Sequence, residues 1–307
     1  SEALHPVTQL TVVTPTWNRR LLLERVYGSL AAQDAARGRF VWLVIDDGSE
    51  DDTAHYVRGL AATADFPIKL IQQDHGGKHR AINRALDQVE TDWLLVLDSD
   101  DWILPGGLAA ALNEIDAAVG DPAVLAIVSP RVFAGRQPLR YPELHAPVTY
   151  ATWREKFFRS DFSMLARTAA LRPHPFPSFD GEEFVAESAV YARAFARGGI
   201  RLTNTRFMGA EYQLDGLSTK MRRNRAQSPR GAMFTYQSQV EAGLKRGTRA
   251  RALANWHRFA WHARARPGSR VVENAPAGMR VWEGPLWLAL GWLLYRHDLW
   301  RLDRARE

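Results

Sequence analysis

The 307-residue chain contains no cysteine. That excludes a disulfide framework and any Cys-ligated zinc or iron–sulfur site. It also fits a reducing, cytoplasmic setting. No run of 18 apolar residues occurs, so no segment is expected to span a bilayer. Residues 1–9 lack a basic head followed by an apolar run, and no signal peptide is expected. Acid is nearly missing from one stretch: between Lys220 and Arg270, thirteen Lys and Arg face only Glu241. A domain boundary is therefore expected near residue 220, separating residues 1–219 from a basic, Trp-rich, mainly helical extension over 220–307.

What is present is ordinary for a folded protein. Hydrophobic residues make up 46% and charged residues 24% of the chain, so disorder is not the default. The length suits one large domain, or one domain plus an extension. A net charge of +6 and a pI near 9.8 point to an anionic partner. A phosphate-bearing substrate, an acidic membrane surface and nucleic acid all qualify.

The first hundred residues alternate two kinds of segment. Leu10 to Thr14, Phe40 to Ile45, Pro67 to Ile71 and Trp93 to Leu97 are apolar, β-rich runs suited to strands covered on both faces. Between them lie helical patterns. Asn18 can cap a helix carrying Leu22, Val26 and Leu30, and Asp51 or Asp52 one carrying Tyr56, Val57 and Leu60. Ala81, Ala85, Leu86 and Val89 form an apolar stripe at helical spacing. This rhythm predicts βαβ units and a mostly parallel central sheet flanked by helices. Ligands then bind beyond the carboxyl ends of the strands. The four loops found there read Pro15-Thr16-Trp17-Asn18-Arg19, Asp46-Asp47-Gly48-Ser49, Gln72 to His79, and Asp98-Ser99-Asp100-Asp101. All four are polar or charged where chemistry is expected.

Each loop also has a plainer reading. Asp98 and Asp100, one residue apart after a buried strand, can share a hard cation and leave positions for phosphate oxygens; equally, aspartates cap helices. Asp46-Asp47-Gly48-Ser49 can accept hydrogen bonds from a ribose or base, or be a turn before a helix. Gly76-Gly77-Lys78-His79 opens a helix, a place that favours anions, or is a simple turn. His75 and His79 read as hydrogen-bonding loop residues rather than metal ligands.

Beyond residue 105 the pattern loosens. A helix is expected from Pro105 to about Val119 and a strand from Val124 to Ser129. Residues 136–180, rich in Pro and aromatics, read as irregular, substrate-facing structure. Asp180 to Arg197 reads as a loop entering a helix. There Glu182, Glu183 or Glu187 can act as general base, or simply favour a helix dipole. The basic segment reads as a phosphate- or membrane-facing surface, or as a solvated Arg-rich face. Trp282, Trp287, Trp292 and Trp300 can lie in a membrane interface or pack as core.

Read together, these segments resemble the family 2 glycosyltransferases of the GT-A fold. Leu10 to Arg19 is similar to the family's opening strand and its Thr-Pro-Thr-hydrophobic-Asn-Arg loop. Val41 to Thr53 is similar to the strand ending in Asp-Asp-Gly-Ser, Gly76 to Asn83 to the Gly-rich helix start, and Asp98 to Asp101 to the metal-binding triplet with its extra Asp. Phe179 to Glu187 resembles a bacterial subgroup's segment whose last Glu falls at the catalytic-base position. Glu211 to Lys220, with Asp215-Gly216-Leu217-Ser218, resembles that subgroup's closing loop.

The resemblance implies an inverting, hexosyltransferase-type enzyme of polysaccharide biosynthesis. It would use a nucleoside-diphosphate sugar, UDP- or dTDP-linked, and Mn2+ or Mg2+. Asp98 and Asp100 would hold the metal, and Glu187 would deprotonate a hydroxyl acceptor, either a glycan or a lipid-linked one. Pro15, Thr16, Asn18, Arg19, Asp46, Asp47, Gly77, Lys78, Asn83, Asp98 and Ser99 would bind the nucleotide sugar, Asp46 at the base and Asp98 at the ribose or metal. A lipid-linked acceptor would bring peripheral contact with the inner membrane face through the extension. There is one departure: the family often has Arg before the Asn of its third motif, where this chain has Ile82, with Lys78 and Arg80 nearby. The Gln, Arg and Trp motif of processive synthases is not evident, which favours single addition.

Two other readings compete. An Asp98-nucleophile phosphatase with Asp100 as acid–base is disfavoured by Trp102 and by the strand's fourth place in the chain. A non-catalytic protein binding an anionic ligand or nucleic acid is disfavoured because no nucleic-acid module or stacking pattern appears, and no nucleic-acid partner is expected.

Overall fold

The computed structural model describes residues 8–137, 139–159, 161–211, 221–265 and 284–304. The chain divides into two compact units, one drawn from residues 1–148, 157–173 and 198–213, the other from 149–156, 174–197 and 214–307. The boundary expected near residue 220 and the loop segment 212–220 lie outside the described residues, as does Trp282.

The first unit is built on a seven-stranded sheet. Its first half in sequence is β1 (Leu10–Thr16), α1 (Leu22–Ala31), β2 (Phe40–Asp46), α2 (Thr53–Thr63), β3 (Ile68–Gln72), α3 (Lys78–Gln88) and β4 (Trp93–Val96). There follow β5 (Trp102–Ile103), α4 (Gly107–Asp116), β6 (Ala126–Pro130) and β7 (Val132–Phe133). The short α5 (Tyr150–Thr152) belongs to the second unit. The first resumes with β8 (Phe162–Arg167) and α6 (Thr168–Leu171). Past α7 (Ser188–Ala194) come β9 (Ile200–Leu202) and β10 (Met208–Ala210). The strand order is β3-β2-β1-β4-β8-β6-β9, and a small sheet orders β5-β10-β7.

The expected α/β architecture is present, and α1 buries Val26 and Leu30 as expected but Leu23 where the pattern pointed to Leu22. Every residue of β1 and β2 is buried. Leu10, Val12, Trp42, Val44 and Leu95 pack with Leu23, Val26 and Leu30 of α1 and Leu108 and Leu112 of α4. Trp42, completely buried, keeps its indole N–H satisfied by donating to Thr14 Oγ1 at 2.9 Å. Pro15 is tolerated inside β1 because the pairing with β4 stops at Val13. Beyond that point β1 pairs with β2 alone, and the missing N–H removes no ladder bond.

Several expectations are corrected. β3 is not covered on both faces: it is the sheet's edge, and Lys69 and Gln72 are exposed. Asn18 does not cap α1, which begins four residues later with no side-chain cap. The α4 helix starts at Gly107 rather than Pro105, after Gly106 takes a left-handed φ of +68°. Its first turn lies so close to Phe207 that a Cβ at Gly107 would sit 2.5 Å from that carbonyl. Residues 136–180 are not all irregular. They contain β8, a buried central strand running antiparallel to both β4 and β6. Its six residues include Ser163 and Arg167, which disguise it among the surrounding aromatics.

The second unit is helical: α7, then α8 (Met221–Gln227), α9 (Pro229–Glu241), α10 (Arg246–Arg264) and α11 (Gly284–Arg304). Two carboxylates from outside these helices satisfy their orphan N-terminal amides. Glu182 Oε1 and Oε2 accept from Arg230 and Gly231 at the start of α9, at 3.1 and 2.9 Å. Glu155 Oε1 accepts from Lys245 N and Thr248 Oγ1, both at 2.6 Å. The absence of a Cβ at Gly231 lets α9 meet Phe184, whose carbonyl would lie 2.2 Å from one. Finally, Asp298 of α11 is completely buried against α10, bonded to the Arg258 guanidinium and to His262 Nε2 at 2.9 Å.

Burial raises the Asp298 pKa, but His262 and Arg258 outweigh it and hold the carboxyl below its ordinary value of 3.8. A depressed folded-state pKa adds stability that is present above about pH 4 and lost as pH falls further. Asp298→Asn is therefore expected to cost about 3 kcal/mol near neutral pH, by stranding a buried guanidinium. In thermal melts the gap between wild type and variant should be widest above pH 4 and close below it.

Candidate active site

Strands β3, β2, β1 and β4 run parallel, so their carboxyl ends and following loops share one edge of the sheet. The chain steps outward from β1 to β2 to β3, then returns to the other side of β1 at β4. In open α/β sheets ligands bind at such a reversal, and Asp98 to Asp101 follow β4 there.

The loops are tied to one another. The structure carries β1 through Thr16, so Pro15 and Thr16 are buried strand residues, and Thr16 O accepts from Asp47 N at 2.9 Å. Trp17, Asn18 and Arg19 form the loop proper. Asn18, at φ +50°, takes the left-handed conformation that asparagine tolerates. Its Oδ1 accepts from Glu50 N at 2.8 Å and its N–H donates to Ser49 Oγ at 2.9 Å. Trp17, half-exposed, stacks on His75 with ring centroids 4.2 Å apart.

Asp46 and Asp47 organise the next two loops. Asp46 is fully buried; Oδ1 accepts from Ser49 N at 3.0 Å and Oδ2 from Gln72 Nε2 at 3.1 Å. Asp47 Oδ1 accepts from Gln73 Nε2 at 2.6 Å and Gly76 N at 3.1 Å, and Oδ2 from Gly77 N at 2.7 Å. His75 Nδ1 lies 3.0 Å from Asp47 Oδ2, so His75 is the hydrogen-bonding loop residue expected. Both sites assigned to the ligand by resemblance therefore make extensive contacts within the protein. The clamp also fixes Gly48, at φ +76°, where a Cβ would come 2.7 Å from His75 N. Lys78 then opens α3, whose buried face carries Ile82, and reaches Asp98 Oδ1 at 2.5 Å. Asn83 is partly exposed on the same helix, and Ser99 is half-buried.

Asp98, Asp100 and Asp101 bring carboxylate oxygens within 4.8 Å of one another. Arg131 pairs with Asp101 Oδ2 at 2.6 Å, and Arg25 donates to the Asp100 carbonyl at 2.5 Å. Burial raises the Asp98 pKa, but Lys78 and Arg131 overcome it and hold that group below the ordinary range. Asp100 goes up, through burial and then through the charge of Asp98. Asp101 is pushed up to about 7, with burial dominant over the pull of Arg131, and with Asp98 and Asp100 adding to the rise. Three crowded carboxylates, all oxygen donors and with the charged forms of Asp100 and Asp101 disfavoured, are the donor set a hard divalent cation favours. The residues present fit such an ion, with Asp98 and Asp100 as its expected ligands.

Glu187 belongs to the second unit. It sits at the N-cap of α7, half-buried, and Tyr191 Oη donates to its Oε2 at 3.1 Å. Glu182 is a helix cap, and Glu183 is exposed. Sequence reasoning passed over Arg25 and Arg131, which lie 75 residues before Asp100 and 30 residues after Asp101, so that no local pattern links them. The aromatic pair Trp17 and His75 was visible only as two residues in two loops.

Asp47→Ala removes an acceptor from two backbone amides and one side-chain amide. It is expected to cost about 2–4 kcal/mol in urea denaturation and to speed amide exchange at Gly76 and Gly77. A variant as stable and as protected as wild type would refute the clamp.

The family model described as Glycosyl transferase family 2 matches residues 11–176. The poly(ribitol-phosphate) beta-N-acetylglucosaminyltransferase TarS of Staphylococcus aureus is 32% identical over 108 residues, covering 35% of this chain and 19% of TarS. A Campylobacter jejuni GalNAc(5)-diNAcBac-PP-undecaprenol beta-1,3-glucosyltransferase is 33% identical over 107 residues, covering 34% of each chain. The matches thus span about a third or less of these relatives. Among solved structures, S. aureus TarS 1-349 in complex with UDP-GlcNAc aligns with a TM-score of 0.61 and 19% identity, covering 92% of this chain and 79% of that one. Mannosyltransferase PcManGT from Pyrobaculum calidifontis, in complex with GDP-Man and Mn2+, aligns with a TM-score of 0.56 and 20% identity, covering 96% and 83%. These likenesses establish the GT-A fold, and with the family match extending over more than half of its length, the chain belongs to glycosyl transferase family 2.

Proposed function

We propose that the protein is an inverting, metal-dependent glycosyltransferase. It moves a hexosyl group from a nucleoside-diphosphate sugar, UDP- or dTDP-linked, to a hydroxyl of a glycan or lipid-linked acceptor. The observation that carries this reading is the carboxylate cluster of Asp98, Asp100 and Asp101 at the ends of the parallel strands, beside Lys78. The UDP-GlcNAc bound by TarS and the GDP-Man and Mn2+ bound by PcManGT support the same chemistry.

When bound to Asp98 and Asp100, Mn2+ or Mg2+ supplies counter-charge for a departing nucleoside diphosphate. Lys78 adds fixed positive charge at the start of α3, where the helix N-terminus favours anions. Asp47 holds Gly76 and Gly77 in place for that role. Asn18 and Arg19 frame the nucleotide. The exposed face of Trp17, braced by His75, offers a platform for the base, and Asp46 shapes the floor beneath it. Ser99 and Asn83 complete the polar rim. Glu187 takes the proton of the acceptor hydroxyl as the oxygen attacks the anomeric carbon opposite the leaving group. The configuration inverts, and no covalent enzyme intermediate forms. Tyr191, bonded to Glu187, fixes the carboxylate's orientation.

A panel of nucleotide sugars with Mn2+ or Mg2+ should show nucleoside-diphosphate release with at least one donor, and NMR of the product should show the inverted anomer. Release with no donor removes the reading; retention removes the mechanism. Asp100→Asn should abolish calorimetric Mn2+ binding and lower turnover by on the order of 10³-fold. Glu187→Gln should lower kcat by about 10²–10⁴-fold with KM little changed, while leaving Mn2+ binding intact.

A further inference from the structure

Of the ten large hydrophobic residues exposed among the described residues, six lie on α11. The helix is held to α10 along one face. Gly291 fits so tightly there that a Cβ would lie 2.5 Å from His257, and Asp298 is locked to Arg258 and His262. These contacts fix the helix about its own axis. The opposite face then carries Leu286, Leu290, Leu293 and Trp300, at spacings of four, three and seven residues, with exposures of 60%, 38%, 57% and 51%. Arg296 and Arg301, both exposed, flank Trp300. An apolar stripe this contiguous and this exposed marks a contact surface.

The chain's charge says which partner. Residues 220–307 hold eighteen Lys and Arg against six Asp and Glu, a net +12, whereas residues 1–219 hold twenty-two against twenty-eight, a net −6. The surplus that gives the whole chain its +6 therefore lies entirely in the part that carries α11. A second copy would bring a like charge against a like charge. An anionic bilayer complements it: leucines and tryptophan enter the headgroup–acyl boundary while arginines meet lipid phosphates and carboxylates. No helix among the described residues is long and apolar enough to cross a membrane, so the contact lies in the plane of the surface.

We propose that α11 docks this protein on an anionic lipid surface through Leu286, Leu290, Leu293 and Trp300, flanked by Arg296 and Arg301. The proposal is independent of which sugar is transferred. It is tested with the full chain and vesicles of phosphatidylglycerol and phosphatidylcholine, against vesicles of phosphatidylcholine alone. Wild type should co-sediment with the anionic vesicles, less so as salt rises, and brominated lipid should quench its tryptophan fluorescence. Leu290→Glu with Leu293→Glu, substitutions on an exposed face, should weaken binding by more than about tenfold with an unchanged melting temperature. Arg296→Glu with Arg301→Glu should remove much of the salt dependence. Binding unaffected by the leucine substitutions, or equal on neutral vesicles, overturns the proposal. So does a dimer in light scattering that the leucine substitutions convert to monomer without any vesicle binding, which would make a second copy the occupant.

Discussion

Mutual repulsion among Asp98, Asp100 and Asp101 is the constraint around which the first unit is arranged. Three carboxylates gathered at a strand end are unfavourable unless positive charge is brought to them. The fold brings it from widely separated parts of the chain: Lys78 from the start of α3, Arg131 from beyond β6 and the Arg25 guanidinium, from α1, to the adjoining carbonyl. Each of these elements is placed by the sheet. The two side-chain ion pairs reach Asp98 and Asp101, yet burial and the neighbouring carboxylates still raise the pKa of Asp100 and Asp101.

The rest of the strand-end surface is stiff because its loops hydrogen-bond to one another rather than only to themselves. Asn18 reaches the loop after β2, and Asp47 reaches the loop after β3. Displacing one loop breaks bonds in the next, so the three respond as a unit. Pre-arranged donors of this kind do not have to be ordered when a ligand arrives.

The sheet was legible in the sequence because βαβ units write themselves as apolar runs separated by helical stripes. The first four strands and the loops after them follow from that pattern alone. β8 was not legible: it is a short strand whose neighbours in space, β4 and β6, lie far away in sequence, and only pairing makes it a strand. The partners of charged residues were hidden for the same reason. Lys78 and Asp98 both stood in expected loops, but nothing local links Arg131 to Asp101 or Asp298 to Arg258. The apparent shortage of acid around α10 is real along the chain and less so in space, since Glu155 and Asp298 come to it from either side in sequence. The acids at 182–187 separate in structure into a helix cap and a Tyr-bonded carboxylate, a distinction that spacing does not carry.

The two units are interleaved in chain order, and this bears on synthesis. β9, the last strand of the main sheet, is made only after Glu182 and α7, which belong to the other unit. Glu182 in turn waits some forty-eight residues for the amide of Arg230 that it caps. Neither unit can therefore finish folding as the ribosome delivers it in turn, and no single cut in the chain yields one unit whole.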